Sequence, residues 1–206
     1  MGTASLDGGV NIAGMGFPIH ISTDDEGSIH QEVIVPMAYA ADTTTGETTK
    51  AGTITCDDTP SITDADWVDI YWDGGVLYNA DVSDVTGEVV TILDTQGLGD
   101  NLPDNGTPCI IAVSKDITTA FLGTDVSALA AYCNPSRCHI AYCDGARAAA
   151  TEHLAVDIEA GEGWFWIEGL GFLNPITGNP IDHIFVSTTN IAADQTFHVG
   201  VQYDSV

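Results

Sequence analysis

The 206-residue chain reads as an all-β protein, an antiparallel β-sandwich or barrel carrying one short helix and an N-terminal arm. Three observations point there. The first is a hairpin. In Trp67-Val-Asp-Ile-Tyr-Trp72 the residues Val68, Ile70 and Trp72 alternate with Trp67, Asp69 and Tyr71, and past Asp73-Gly74-Gly75 the pattern resumes with Val76, Tyr78, Ala80 and Val82 against Leu77, Asn79 and Asp81. Period-two alternation, aromatic and β-branched enrichment, and a tip whose glycines accept φ > 0 make a strand pair. The second is the recurrence of short apolar runs at roughly eight- to twelve-residue spacing, punctuated by Gly, Asn and Asp, as in sandwiches and barrels. The third is that one segment alone, Thr124 to Tyr132, has a helical apolar face.

In chain order, residues 1–28 are rich in Gly, Ser and Asp around the short apolar piece Phe17 to Ile21, which suits an arm or a loosely paired edge. Ile29 to Ala41 is a strand candidate interrupted by Pro36, hence an edge or a bulge. Asp42 to Lys50 is a polar loop, followed by a strand at Ala51 to Cys56 and then the hairpin. Aromatic rings on both faces of that hairpin require burial on more than one side, against a second sheet or another subunit. Glu88 to Leu93 follows the Thr86-Gly87 turn, and a loop dense in turn formers leads to Cys109–Ser114, a short buried strand. Thr124 caps the predicted helix, whose face is Val126, Leu129 and Ala130, and Asn134-Pro135 stops it. Strands are then expected at Arg137–Cys143, His153–Glu159, Trp164–Glu168, Asp182–Ser187 and Thr196–Tyr203, the last two close enough in sequence to pair. No repeat or linker divides the chain, so residues 1–206 are taken as one domain. A looser division near residues 115–135 is the alternative.

Charge sets the strongest bounds. Four Lys and Arg stand against 30 Asp and Glu, a formal net charge of −26. At ordinary ionic strength, with a Debye length of roughly 8 Å, such a surface repels itself; at molar salt the length falls to about 3 Å and the repulsion fades. Direct nucleic-acid binding is excluded by the lack of basic clusters to neutralise phosphates. The start of the chain lacks the basic and apolar regions of a signal peptide, and no apolar run reaches membrane-spanning length, so no membrane insertion is expected. Apolar residues make up 44% of the chain, enough to fill a core.

Candidate chemistry is sparse. Cys133, Cys138, His139 and Cys143 are soft ligands close in sequence, but the spacing is wrong for a zinc knuckle, and on a strand Cys138 would point away from His139 and Cys143. A Cys133–Cys138 disulfide across the Asn-Pro-Ser-Arg turn and buried free thiols are the competing readings. No nucleophile elbow, zinc-protease motif, phosphate loop or dinucleotide fingerprint occurs. Glu159, Glu162 and Glu168 beside Trp164 and Trp166 resemble a glycosidase carboxylate pair with an aromatic platform, as chance would also place them in so acidic a chain. Asp100 and Asp104 are candidates for a structural Ca²⁺ or Na⁺, with solvated acidic turns the simpler reading. Asn105-Gly106-Thr107 is a glycosylation sequon on a predicted loop. No cofactor is called for and no catalytic residues are assigned.

Asp66-Trp-Val-Asp-Ile-Tyr-Trp-Asp-Gly-Gly-Val-Leu-Tyr78, Val85-Thr-Gly-Glu-Val-Val-Thr-Ile92, Gly99-Asp-Asn-Leu-Pro103 and the terminal Ile181–Ser187 and Phe197–Asp204 strands resemble small virion proteins. The excess of aspartate and scarcity of lysine resemble proteins of halophilic archaea and their viruses. Together these are similar to capsid or decoration proteins of haloarchaeal viruses and related phages. The resemblance implies an antiparallel β-sandwich of jelly-roll type and a non-enzymatic structural protein, made in the host cytoplasm and located in the virion, whose partners are copies of itself and other virion proteins. Trp67, Tyr71, Trp72, Tyr78, Trp164 and Trp166 are the expected subunit-packing aromatics. A tail-tube or adhesion protein, and a surface glycan-binding module using Trp164 and Trp166, are the alternatives.

Overall fold

The computed structural model describes residues 4–5, 11–12, 15–16, 20–21, 27–43, 49–93, 97–116, 126–132, 138–143, 147, 152–158, 165–168 and 183–203. The described secondary structure is all strand. The N-terminal segment carries β1 (Ala4–Ser5), β2 (Asn11–Ile12), β3 (Met15–Gly16) and β4 (His20–Ile21), paired as β1–β4 and β2–β3. This stretch, expected as an arm, therefore pairs partly with itself. There follow β5 (Gly27–Val35), β6 (Tyr39–Thr43), β7 (Gly52–Cys56), β8 (Trp67–Trp72), β9 (Gly75–Thr86), β10 (Val89–Leu93), β11 (Leu98–Gly99), β12 (Pro108–Val113) and β13 (Lys115–Asp116). The remaining strands are β14 (Val126–Tyr132), β15 (Cys138–Cys143), β16 (Glu152–Ile158), β17 (Phe165–Glu168), β18 (His183–Thr188) and β19 (Gln195–Tyr203).

The hairpin lies where the sequence puts it, as β8 and β9, with Gly74 at the tip at φ 91°. What it builds differs from an open sandwich sheet. Strands β10-β7-β6-β12-β8-β9 pair in that order and β10 returns to β9, closing a six-strand antiparallel barrel, with β11 added along β9. The cause is local to β9. Val68 pairs with Ala80 but Ile70 with Leu77, which leaves two residues of β9, Tyr78 and Asn79, facing Asp69 alone. Asn79 takes φ 55° to do this. A second irregularity sets Thr91 opposite Asp84 and Ile92 opposite Val82, leaving Ser83 as the extra residue. Bulges bend and twist a strand, so β9 gives its first part to β8 and its last to β10, and closure follows. The strict period-two reading fails at the first bulge: Leu77, Ala80 and Val82 all enter the barrel core, while Tyr78 packs outside it with Tyr71.

The barrel interior is Ile54, Val68, Ile70, Leu77, Val90, Ile92 and Ile111, all essentially inaccessible. Cys56 and Cys109 sit there too, on the strands either side of Ala41. Both are free thiols. Burial, then the Asp57 and Glu88 charges, pushes Cys56 from 9.0 up to about 11; burial, then Asp42, pushes Cys109 up to about 12. Between the pH at which unfolded thiols ionise and the higher pH at which these do, the native state holds more protons than the unfolded one, so stability falls as pH rises. We expect the urea midpoint to be level up to about pH 8.5 and to fall above about pH 9, with a shallower slope in a Cys56→Ala, Cys109→Ala variant. An identical slope in that variant would contradict the assignment.

The second half forms two four-stranded sheets, β13-β18-β15-β16 and β17-β14-β19-β5. Two expectations are corrected here. The predicted helix at Thr124 to Tyr132 is strand β14 over its described part, hydrogen-bonded on one side to β17 and on the other to β19. A seven-residue stretch is too short to hold a helix unaided, and ladders on both edges override its propensity. The last two strands do not pair: β18 joins β15 and β13, whereas β19 runs against β5 for nine residues. The connection between them crosses from sheet to sheet, fixed where the Ala38 N–H donates to the Asn190 carbonyl (2.8 Å) and the Met37 N–H to Asp194 Oδ1 (3.0 Å). Pro36 sits at this break between β5 and β6, and β5 is an edge strand, as the proline requires.

Candidate functional site

Strand β8 has one face inside the barrel and the other against sheet β13-β18-β15-β16. Val68 and Ile70 point inward, and Asp69 and Tyr71 point into the seam, where both are buried. The two-sided burial expected from the aromatic hairpin is thus supplied within the chain, by the second sheet.

A charge in that seam needs compensation. Asp69 is fully buried and receives the Asn79 N–H at 2.8 Å across the bulge, Arg147 Nη1 at 2.9 and 3.2 Å, and the Ser187 hydroxyl at 2.6 Å. Because the Ser187 proton is given to Asp69, Tyr71 donates its own to Ser187 Oγ, at 2.8 Å. Arg147 Nη1 also donates to Ser114 Oγ at 2.5 Å, and Nε to Glu152 Oε2 at 3.4 Å. The Arg147 carbonyl accepts from Asn79 Nδ2 at 3.2 Å. Burial pulls Arg147 toward neutrality, but the carboxylates of Asp69 and Glu152 outweigh it and hold its pKa above the usual arginine value. Burial, then the Asp69 charge, keeps Tyr71 protonated well above the ordinary phenol range.

A second cluster adjoins it. Tyr78 lies flat on the buried His139 ring, with centroids 3.7 Å apart and planes at 13°, and edge-on to Tyr71 at 5.8 Å. The Tyr78 hydroxyl donates to Asp157 at 3.2 Å, and His139 Nδ1 meets the same carboxylate at 3.0 Å. These groups join β9 of the barrel to β15 and β16 of the neighbouring sheet. Ser187 is inaccessible and donates to an aspartate rather than to a histidine, so the cluster forms no nucleophile–base pair.

The other expected residues are placed as follows. Trp72 is half-buried against the barrel core, its ring over Gly75, where a built Cβ would meet it at 2.5 Å. Trp67 lines an open cleft. Trp166 belongs to β17, while Trp164, Glu159 and Glu162 lie outside the described residues; Glu168 pairs in register with Ala128. Cys138 is disulfide-bonded, which removes it as a zinc ligand; Cys143 is buried, and Cys133 lies outside the described residues. Asp100 Oδ2 accepts the Val76 N–H at 3.2 Å, and the Asp104 carbonyl accepts the Thr43 hydroxyl at 2.6 Å. Among the described residues no group of three or more His, Cys, Asp or Glu comes together to hold a metal, and no helix is long and apolar enough to cross a membrane. His183 Nδ1 meets Asp116 Oδ2 at 3.1 Å.

The Asp69–Arg147 network escapes sequence reasoning, although one signal pointed to it. Asp69 shares a hairpin face with Trp67 and Tyr71; once that face is buried the charge needs a cation, and the chain has four Lys and Arg in total.

No protein-family model and no curated relative matches the chain. Among solved structures, a chain of the cowpea mosaic virus top component, naturally occurring empty particles, is similar at 10% identity over 84% of this chain and 83% of that one. The TM-score is 0.29, below the level at which two chains share a fold.

Proposed function

We propose that the chain is a non-enzymatic structural protein of a virion from a high-salt environment, forming or decorating the capsid by packing of its β-sheets into an oligomer. The observation that carries this reading is where the polar side chains go. Asp69, Arg147, Ser187, Tyr71 and Ser114 are all buried and joined to one another between two sheets, which serves cohesion. The charge of −26 fits an exterior kept soluble by salt screening. Its partners would be further copies of itself and other virion proteins, and a Cys133–Cys138 bridge would tie the chain entering β15.

On this reading the protein is a stoichiometric component of purified particles and associates with rising concentration at molar salt. A protein that is absent from particles and monomeric throughout would sink it. A glycan-binding module would instead show array binding that Trp164→Ala abolishes, and a hydrolase would show turnover lost in Glu168→Gln.

A further inference from the structure

Trp67, Asp69 and Tyr71 share one face of β8, and the second sheet buries the last two. At Trp67 the seam opens into a cleft of about 530 Å³, the size of a small-molecule site. The strand is fixed there: the Trp67 carbonyl accepts the Ser114 N–H at 2.8 Å, and Trp67 pairs with Asp81 of β9. The indole is partly exposed and makes no contact with another ring among the described residues. Phe185 and His183, parallel at 5.9 Å, line the cleft from β18.

Polar groups of both signs complete the lining. Asp66 is oriented by Thr63, whose N–H and hydroxyl donate to Oδ2 at 2.8 and 2.9 Å, so Oδ1 is left to accept. Asp116 is oriented by His183, with Oδ2 at 3.1 Å from Nδ1. An ionised carboxylate offers about four acceptor sites, so one such bond leaves it able to take a ligand hydroxyl. Lys115 is exposed and supplies N–H donors. Arg147 is committed to Asp69 and Glu152 and plays no part. Two carboxylates repel an anion, and Lys115 opposes an organic cation. Oriented acceptors and a donor beside an uncovered indole suit a neutral ligand with several hydroxyls and an apolar C–H face.

We propose that this cleft binds a neutral saccharide of one or two rings, a C–H face laid on Trp67 and the hydroxyls paired with Asp66, Asp116 and Lys115. The site uses neither Trp164 nor Trp166 and is independent of whether copies of the chain assemble.

The test is calorimetric titration of the intact protein in 1 M NaCl with maltose, cellobiose and N,N′-diacetylchitobiose. Saturable one-to-one binding of at least one of them is expected, with a dissociation constant on the order of 1 mM. Asp116→Ala, at an exposed position, should keep the circular dichroism of the parent and weaken that sugar roughly three- to tenfold. Trp67→Leu should weaken it roughly tenfold or more, and Trp67→Phe, which keeps a ring, by less. Trp164→Ala should leave the affinity unchanged, which separates this cleft from a platform at Trp164 and Trp166. The proposal is overturned if none of the three disaccharides saturates, if Asp116→Ala leaves the affinity unchanged, or if Trp164→Ala abolishes binding while Trp67→Leu spares it.

Discussion

Asp69→Ala is expected to destabilise the protein by about 3–5 kcal/mol, the cost of leaving a buried partner charge uncompensated. In a chain of this size that lowers the thermal midpoint by roughly 10 °C. The carboxylate is fully buried and takes hydrogen bonds from Asn79, Arg147 and Ser187, so its loss strands a guanidinium, a bulge N–H and a hydroxyl together. Arg147→Met should cost a similar amount from the other side. The double variant Asp69→Leu, Arg147→Met removes both charges and should recover part of the loss, because replacing a buried pair with apolar groups is often neutral or better. A urea-unfolding cycle reads this directly. Additive losses, or a cost below about 1 kcal/mol for Asp69→Ala, would mean that water reaches the seam and the network does not hold the sheets together.

The second large effect is that of salt. With 30 acidic residues against four Lys and Arg, the folded surface concentrates like charges that the unfolded chain spreads out. The Debye length shrinks from about 30 Å at 0.01 M to about 3 Å at 1 M, so the folded state gains more from added salt. We expect the thermal midpoint to rise by on the order of 10 °C between 0.05 M and 2 M NaCl, or about 3–5 kcal/mol at 2–4 °C per kcal/mol. Potassium chloride should act like sodium chloride, since screening does not depend on a specific ion. A midpoint that is flat with salt, or that falls, would remove the physical basis for a high-salt origin.

Much of the fold was legible because its signals are local. The β8–β9 hairpin is written in alternation and in the Asp73-Gly74-Gly75 tip, and most later strands fall within a residue or two of their expected bounds. Closure of the barrel was not legible. It depends on two single-residue irregularities, at Asn79 and Ser83, and a period-two reading passes through a bulge without registering it. Strand β14 was misread because a stretch of seven residues carries no period strong enough to decide, and the partners that decide it, β17 and β19, lie far along the chain. The polar seam was hidden for the same reason. Asp69 and Arg147 are 78 residues apart, and nothing near either announces the other. Tyr71 and Tyr78, expected as subunit-packing aromatics, meet Ser187 and His139 of the chain's own second sheet.

The central claim, that this chain works by assembling, is tested most directly by the native mass of the purified protein in 3 M NaCl, followed by light scattering across a hundredfold range of concentration. We expect a defined oligomer that grows in population with concentration and dissociates when salt is lowered to about 0.1 M, where the Debye length lengthens to about 10 Å and repulsion between acidic copies is less screened. A monomer of 21.6 kDa at every concentration in 3 M salt would contradict it.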